Sequence, residues 1–162
     1  MKRIAVLATS VLALGLLVQA SGATSGDAKI LEFETMIGVS GPFLGATNPI
    51  NGVPGAGAAW QIDSGRGELR VNGALEVEVE GLVLTRTGEN PSTNFRAVVA
   101  CHTVVAGQAA TARAVTGPFP ATPQGDSKIE AQVDVPSPCF DPAVFVTNAA
   151  GDPPRWFAVT GH

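Results

Sequence analysis

The residues of this chain that most readily do chemistry are two cysteines and two histidines, Cys101, Cys139, His102 and His162. They show no Cys-x-x-Cys or His-x-x-x-His spacing, so they do not match a zinc site and predict no cofactor. An even number of cysteines in an exported chain predicts a disulfide, here between Cys101 and Cys139. Two buried free thiols are the alternative, because cysteine is also a common small core residue.

Two short motifs could belong to a hydrolase. Gly125-Asp126-Ser127 resembles a serine-nucleophile triplet, but Lys128 follows it where trypsin-like enzymes have glycine, and no Gly-x-Ser-x-Gly elbow occurs. Cys101 and His102 are neighbours that would point to opposite faces of a strand, so they cannot form a thiol dyad. A hydrolase that uses Ser127 or a carboxylate pair is therefore the last-ranked function. No catalytic residue is assigned.

A row of glutamates, Glu76, Glu78 and Glu80, could attract a cation. Alternate residues of a strand lie about 7 Å apart on one face, so these carboxylates do not converge as calcium ligands do. Charged residues normally mark the solvent-facing side of a sheet. The row therefore predicts the solvated face of a strand rather than a metal site.

Aromatic residues offer the best candidates for a binding site. Trp60 or Trp156 could provide a platform for a sugar, beside a Gly/Pro-rich loop over residues 38–57 that contains Phe43. Both tryptophans could instead cap a hydrophobic core, which is the usual place of a lone tryptophan in such a domain. The loop could likewise be packed against the domain or contact a ligand.

The strand that carries the glutamates belongs to a β-hairpin over residues 66–84. A two-residue Asn72-Gly73 turn would mix charged and apolar groups on each face. A three-residue loop, Val71-Asn72-Gly73 with a left-handed Gly73, instead pairs Leu69 with Leu75 inside and places Arg66 opposite Glu78 outside. A loop shifted by one residue would put alanine at the left-handed position, so the sequence favours the first register.

Further alternating segments predict an all-β domain. The strongest are 28–39, 95–105 and 128–135. One face of the first would carry Leu31, Phe33, Thr35, Ile37 and Val39. Turn signals separate about eight strands, with no helix. The pattern predicts a single antiparallel two-sheet β-sandwich, immunoglobulin-like in its general architecture, with one disulfide and segment 109–116 as an edge strand.

The N-terminus has the layout of a secretory signal peptide. Lys2 and Arg3 precede an apolar run over 4–18, and small residues allow cleavage after Ala20 or Ala23. The run is short for a membrane span of about 20 residues. We therefore predict a signal peptide over residues 1–23, a single domain over 24–162, and a secreted or periplasmic protein that has no membrane contact after cleavage.

The charge balance limits the partners. Without Lys2 and Arg3 the ten basic residues become eight, against 14 acidic ones, which leaves a net charge of about −6 at pH 7. Such a chain is a poor binder of nucleic acid. The expected partner is an extracellular protein or a glycan.

Three runs, 60–69 (WQIDSGRGEL), 95–101 (FRAVVAC) and 136–139 (PSPC), resemble small secreted bacterial proteins without an assigned function. The resemblance implies a secreted β-domain and brings no catalytic residues. The predicted function is a non-enzymatic extracellular structural or binding module. Carbohydrate binding through Trp60 or Trp156 is the alternative.

Overall fold

The structure, a computed structural model, describes residues 28–161. The predicted signal peptide, both of its cleavage sites and His162 lie outside these residues. The described chain is all-β, apart from one short 3-10 turn at Gly41–Phe43. Its strands are β1 (Lys29–Phe33), β2 (Met36–Gly38), β3 (Trp60–Gln61), β4 (Ser64–Arg70), β5 (Ala74–Glu80), β6 (Val83–Leu84), β7 (Asn94–Val105), β8 (Gln108–Val115), β9 (Phe119–Pro120), β10 (Ser127–Gln132), β11 (Phe140–Asn148) and β12 (Trp156–Thr160).

Two main antiparallel sheets form a sandwich-like arrangement. The four-stranded sheet has the order β1-β4-β5-β10, and the six-stranded sheet has the order β2-β12-β11-β7-β8, with β9 paired to β7. Strands β3 and β6 form a small third sheet. The all-β prediction is confirmed, but the described residues contain 12 strands rather than about eight. The two-residue strands β6 and β9 are too short to show an alternating pattern.

The predicted first strand is in fact two strands. β1 pairs with β4 in one sheet, whereas β2 pairs with β12 in the other, because the chain crosses between the sheets after Phe33. The crossing changes which residues of the alternating pattern face the core. Met36 is buried and Ile37 is 60% exposed, so the prediction that Ile37 shares the buried face of Phe33 was wrong.

The central hairpin has the predicted register. Leu69 pairs with Leu75 and Arg66 pairs with Glu78. Gly73 has a φ of +88°, and a β-carbon there would overlap the carbonyl oxygen of Val133, so glycine is required for two reasons.

One hydrophobic core joins the inner faces of the sheets. Its largest fully buried side chains include Phe95, Leu69, Leu82 and Ile129. Close approach of the strands depends on Gly67, where a β-carbon would overlap the Glu76 carbonyl oxygen and the Phe33 ring. The predicted disulfide is present: Cys101 in β7 is bonded to Cys139, 38 residues later, with Cα atoms 5.1 Å apart.

The outer face of the four-stranded sheet carries ion pairs, as the glutamate row predicted. Arg66 lies 2.7 Å from Glu78 and Lys128 lies 3.3 Å from Glu76. Hydrogen bonds from Lys29 and then from Arg70 hold the pKa of Glu68 below its ordinary value of 4.5. No group of three or more potential metal-ligating side chains occurs within residues 28–161.

Candidate functional site

The Gly/Pro-rich segment 38–57 lies over the outer face of the six-stranded sheet. Val53 is fully buried, and Gly55 forms a bridge with Trp156. Two arginines hold the segment, one in β8 and one just before β12. Arg113 Nη1 donates to the Gly52 carbonyl at 3.4 Å and Arg155 Nη1 donates to the Gly55 carbonyl at 3.3 Å. The segment is therefore the packed cover of an apolar sheet face, in agreement with one of its two predicted roles.

This cover explains why β7 has two apolar faces. Val98, on the face opposite to that of Cys101, pairs with Phe145 of β11, and both side chains are fully buried. A sheet that is solvated on one side would need polar residues there. The six-stranded sheet is thus covered on both sides at this point.

A bulge in β12 determines which residues reach this outer face. β11 pairs Val146 with Ala158 and then Thr147 with Trp156, so Phe157 is an extra residue without a partner in β11. Trp156 and Val159 are three residues apart and would lie on opposite faces of a regular strand. Because of the bulge, both line the same outer pocket, while Phe157 stacks on Trp60 in the core with ring centroids 3.9 Å apart.

The edge pocket, as we name it, opens where the loop meets the sheet edge at β2. Its volume is about 360 Å³. The apolar part of its wall consists of Ile37, Phe43, Ile50, Ala143, Trp156 and Val159. These residues come from four separate stretches of the chain, so no local motif in the sequence marks them.

Two aromatic rings dominate the wall of the edge pocket. The ring centroids of Phe43 and Trp156 lie 6.4 Å apart at a tilt of 52°, and the ring of Phe145 lies 6.2 Å from that of Trp156. Phe43 is 41% exposed, whereas Trp156 is only 2% exposed. The Trp156 Nε1 donor is buried and has no hydrogen-bond partner among the described residues. An unpaired buried donor costs about 1–3 kcal/mol.

The charge in the wall of the edge pocket is negative. Among the described residues of its wall, Asp141 is the only charged one, and the other polar side chains are those of Ser40, Asn51 and Thr160. No basic residue among those described forms a salt bridge with the Asp141 carboxylate. The pocket therefore favours a neutral or cationic group over an anion.

The structure separates the predicted binding residues. Trp156 and Phe43 come together in the edge pocket, but Trp60 lies in the core between Phe157 and Phe95. Trp60 is 5% exposed, so its rings present no platform to solvent. Sequence reasoning missed Ile37 and Val159, because the strand crossing after Phe33 and the bulge at Phe157 leave no sequence signal.

The residues considered for hydrolysis are in structural roles. The Ser127 hydroxyl is buried and donates to the Pro120 carbonyl at 2.8 Å. Asp126, beside it, accepts a hydrogen bond from the Gly81 amide at 3.0 Å and so fixes a turn. Cys101 is in the disulfide, and His102 is exposed on the other face of β7.

Comparisons with known proteins give no relatives. No protein-family model matches this chain, and no curated protein or solved structure matches it. The resemblance to small secreted bacterial proteins therefore stays a prediction. Within residues 28–161 there is no helix of the length and apolarity needed to cross a membrane.

Proposed function

We propose that this chain is an exported, non-enzymatic binding module that holds a small, mainly apolar molecule in the edge pocket. One observation carries the proposal: an apolar cavity of about 360 Å³, with two aromatic rings in its wall, remains open beside the segment 38–57 on the outer face of the six-stranded sheet. Cavities of about 300–1,000 Å³ with apolar walls and a few polar groups are typical ligand sites. The pocket has the size for a small molecule rather than a folded partner.

The side chains in the wall of the edge pocket support ligand binding without catalysis. Ser40, Asn51, Thr160 and Asp141 provide its polar side chains, and the described wall contains no histidine, cysteine or lysine. Hydrogen-bonding groups of this kind orient a ligand. The lone carboxylate of Asp141 disfavours anionic ligands such as fatty acids.

Export is part of the proposal. It is supported by the N-terminal layout of a signal peptide and by the Cys101–Cys139 disulfide, a bond typical of oxidising compartments. The protein would then bind its ligand outside the cytoplasm.

Carbohydrate binding remains a weaker proposal. A sugar platform needs an exposed aromatic face. Trp60 and Trp156 are both buried, and Phe43 alone offers a partly exposed ring. The wall of the edge pocket is more apolar than a sugar would require.

The test is a fluorescence titration with N-phenyl-1-naphthylamine, a neutral apolar probe that brightens in apolar sites. We expect saturable binding that Ile37→Asn weakens at least about tenfold, equivalent to about 1.4 kcal/mol. Val71→Asn is the matched control, because Val71 is 54% exposed and Ile37 is 60% exposed, but only Ile37 lines the pocket. Absence of saturable binding, or equal loss in both variants, would refute the proposal. A glycan array with the Trp156→Ala variant tests the carbohydrate alternative.

A further inference from the structure

Strand β8 is a long edge of the six-stranded sheet without the usual protection. Edge strands of natural proteins are kept from pairing by shortness, bulges, prolines or charges. β2 has only three residues, and β1 has a register shift and carries Lys29 and Glu32. β10 carries Lys128 and Glu130. β8 has eight residues, no proline, no bulge and a single charge, Arg113.

The hairpin geometry shows which backbone groups of β8 point outward. Ala106 and Gly107, with φ values of +50° and +78°, form a two-residue turn that closes on the pair Val105–Gln108. This closing pair is hydrogen-bonded, and hydrogen-bonded pairs alternate along the ladder. The pairing continues without a shift to Val98–Val115.

The amide and carbonyl groups that point away from β7 therefore belong to Ala109, Thr111, Arg113 and Val115. No other strand among the described residues pairs with this side of β8. The edge thus presents a row of unpaired donors and acceptors.

This row is complementary to itself. If two copies of β8 pair antiparallel with Ala112 on the two-fold axis, Thr111 lies opposite Arg113 of the second copy and Ala109 lies opposite Val115 of the second copy. All four outward-facing residues then form hydrogen-bonded pairs, on the order of eight hydrogen bonds. A shift by one residue would place outward-facing residues opposite inward-facing ones and lose these bonds.

The side chains fit the same register. Arg113 faces a threonine, so like charges are not opposite each other. On the inner face the contacts are between Ala110, Ala112 and Ala114, whose small side chains allow close approach. On the outer face Val115, which is 46% exposed, meets Ala109 of the second copy. Self-pairing therefore needs no side-chain rearrangement within these strands.

We propose that β8 is a dimerisation edge, which joins the six-stranded sheets of two copies of this chain into one continuous sheet through antiparallel β8–β8 pairing centred on Ala112. The interface lies on the opposite sheet edge from β2 and the edge pocket. Pairing at β8 therefore does not close the edge pocket.

The test is sedimentation velocity of the purified, oxidised protein over a range of concentrations. We expect the average mass to rise from that of the monomer towards twice that value. Thr111→Pro should keep the protein monomeric, because it removes an outward-facing donor without removing a bond to β7. Thr111→Ala is the control and should dimerise as the wild type does. Circular dichroism checks that each variant is folded.

A charge pair tests the register. Thr111→Glu places a carboxylate opposite Arg113 of the second copy, and Thr111→Lys places an ammonium there. We expect Thr111→Glu to dimerise at least about tenfold more tightly than Thr111→Lys, with both variants folded because position 111 is exposed.

Two results would overturn the proposal. One is a monomer mass at all concentrations up to about 1 mM. The other is a dimer whose stability is the same in the Glu and Lys variants, because that dimer would use another surface. If Thr111→Pro fails to fold, the comparison of the two charged variants decides alone.

Discussion

The disulfide should contribute a large part of the stability of the sandwich. Cys101 is fully buried in the central strand β7, and Cys139 follows a proline-rich segment that no strand includes. The bond closes a loop of 38 residues. The chain-entropy relation for a loop of this length gives about 4 kcal/mol at 25 °C. Its removal should therefore free the segment before β11 and destabilise the whole domain.

Urea unfolding of oxidised and reduced protein measures this contribution. With a slope of about 2 kcal/mol per M, a loss of about 4 kcal/mol lowers the midpoint by about 2 M. The Cys101→Ala/Cys139→Ala variant should match the reduced protein to within about 1 kcal/mol, and reductant should leave it unchanged. A difference between oxidised and reduced protein below about 1 kcal/mol would refute the reasoning. Two thiols that are alkylated without prior reduction would contradict the bond itself.

Three further predictions concern the fold and the N-terminus. Gly67→Ala should lower the free energy of unfolding by about 1–3 kcal/mol, because the added methyl group would overlap the neighbouring strand. Gly57→Ala is the control and should have little effect, because the space around Gly57 is open. Equal urea midpoints for the two variants would contradict this. The two basic neighbours of Glu68 lower its pKa in the folded state, so the ionised carboxylate stabilises the fold above the ordinary pKa of 4.5, and this stabilisation is lost as pH falls through the folded-state pKa. The Glu68→Gln variant should therefore lose less stability on acidification than the wild type. Identical profiles of stability against pH would contradict this. N-terminal sequencing of the exported protein should begin at Ser21 or Thr24, and an intact Met1 would contradict cleavage.

The hairpin and the disulfide could be predicted because each depends on a strong local constraint. In the hairpin, the alternation of charged and apolar residues on both strands allows only an odd loop length, and Gly73 selects one of the two odd loops. For the disulfide, the chain has one possible cysteine pair. These constraints need no knowledge of how distant segments pack.

The edge pocket could not be predicted in the same way. Trp156 and Val159 share a face only because Phe157 is an extra residue in β12, and Ile37 is exposed only because the chain changes sheets after Phe33. The bulge and the change of sheet both depend on pairing between distant strands, so an alternating sequence pattern does not predict them. The same limitation explains the strand number, because a two-residue strand such as β9 is defined by its partner rather than by its own sequence.

The most direct test of ligand binding in the edge pocket is a 1H–15N NMR titration of the two tryptophan indole N–H signals with N-phenyl-1-naphthylamine. Trp156 lies in the wall of the pocket and Trp60 lies in the core, so each reports a different place. The signals are assigned with Trp156→Phe. The proposal predicts a saturable shift of the Trp156 signal and no comparable shift of the Trp60 signal. A Trp156 signal that does not move, or equal movement of both signals, would contradict it.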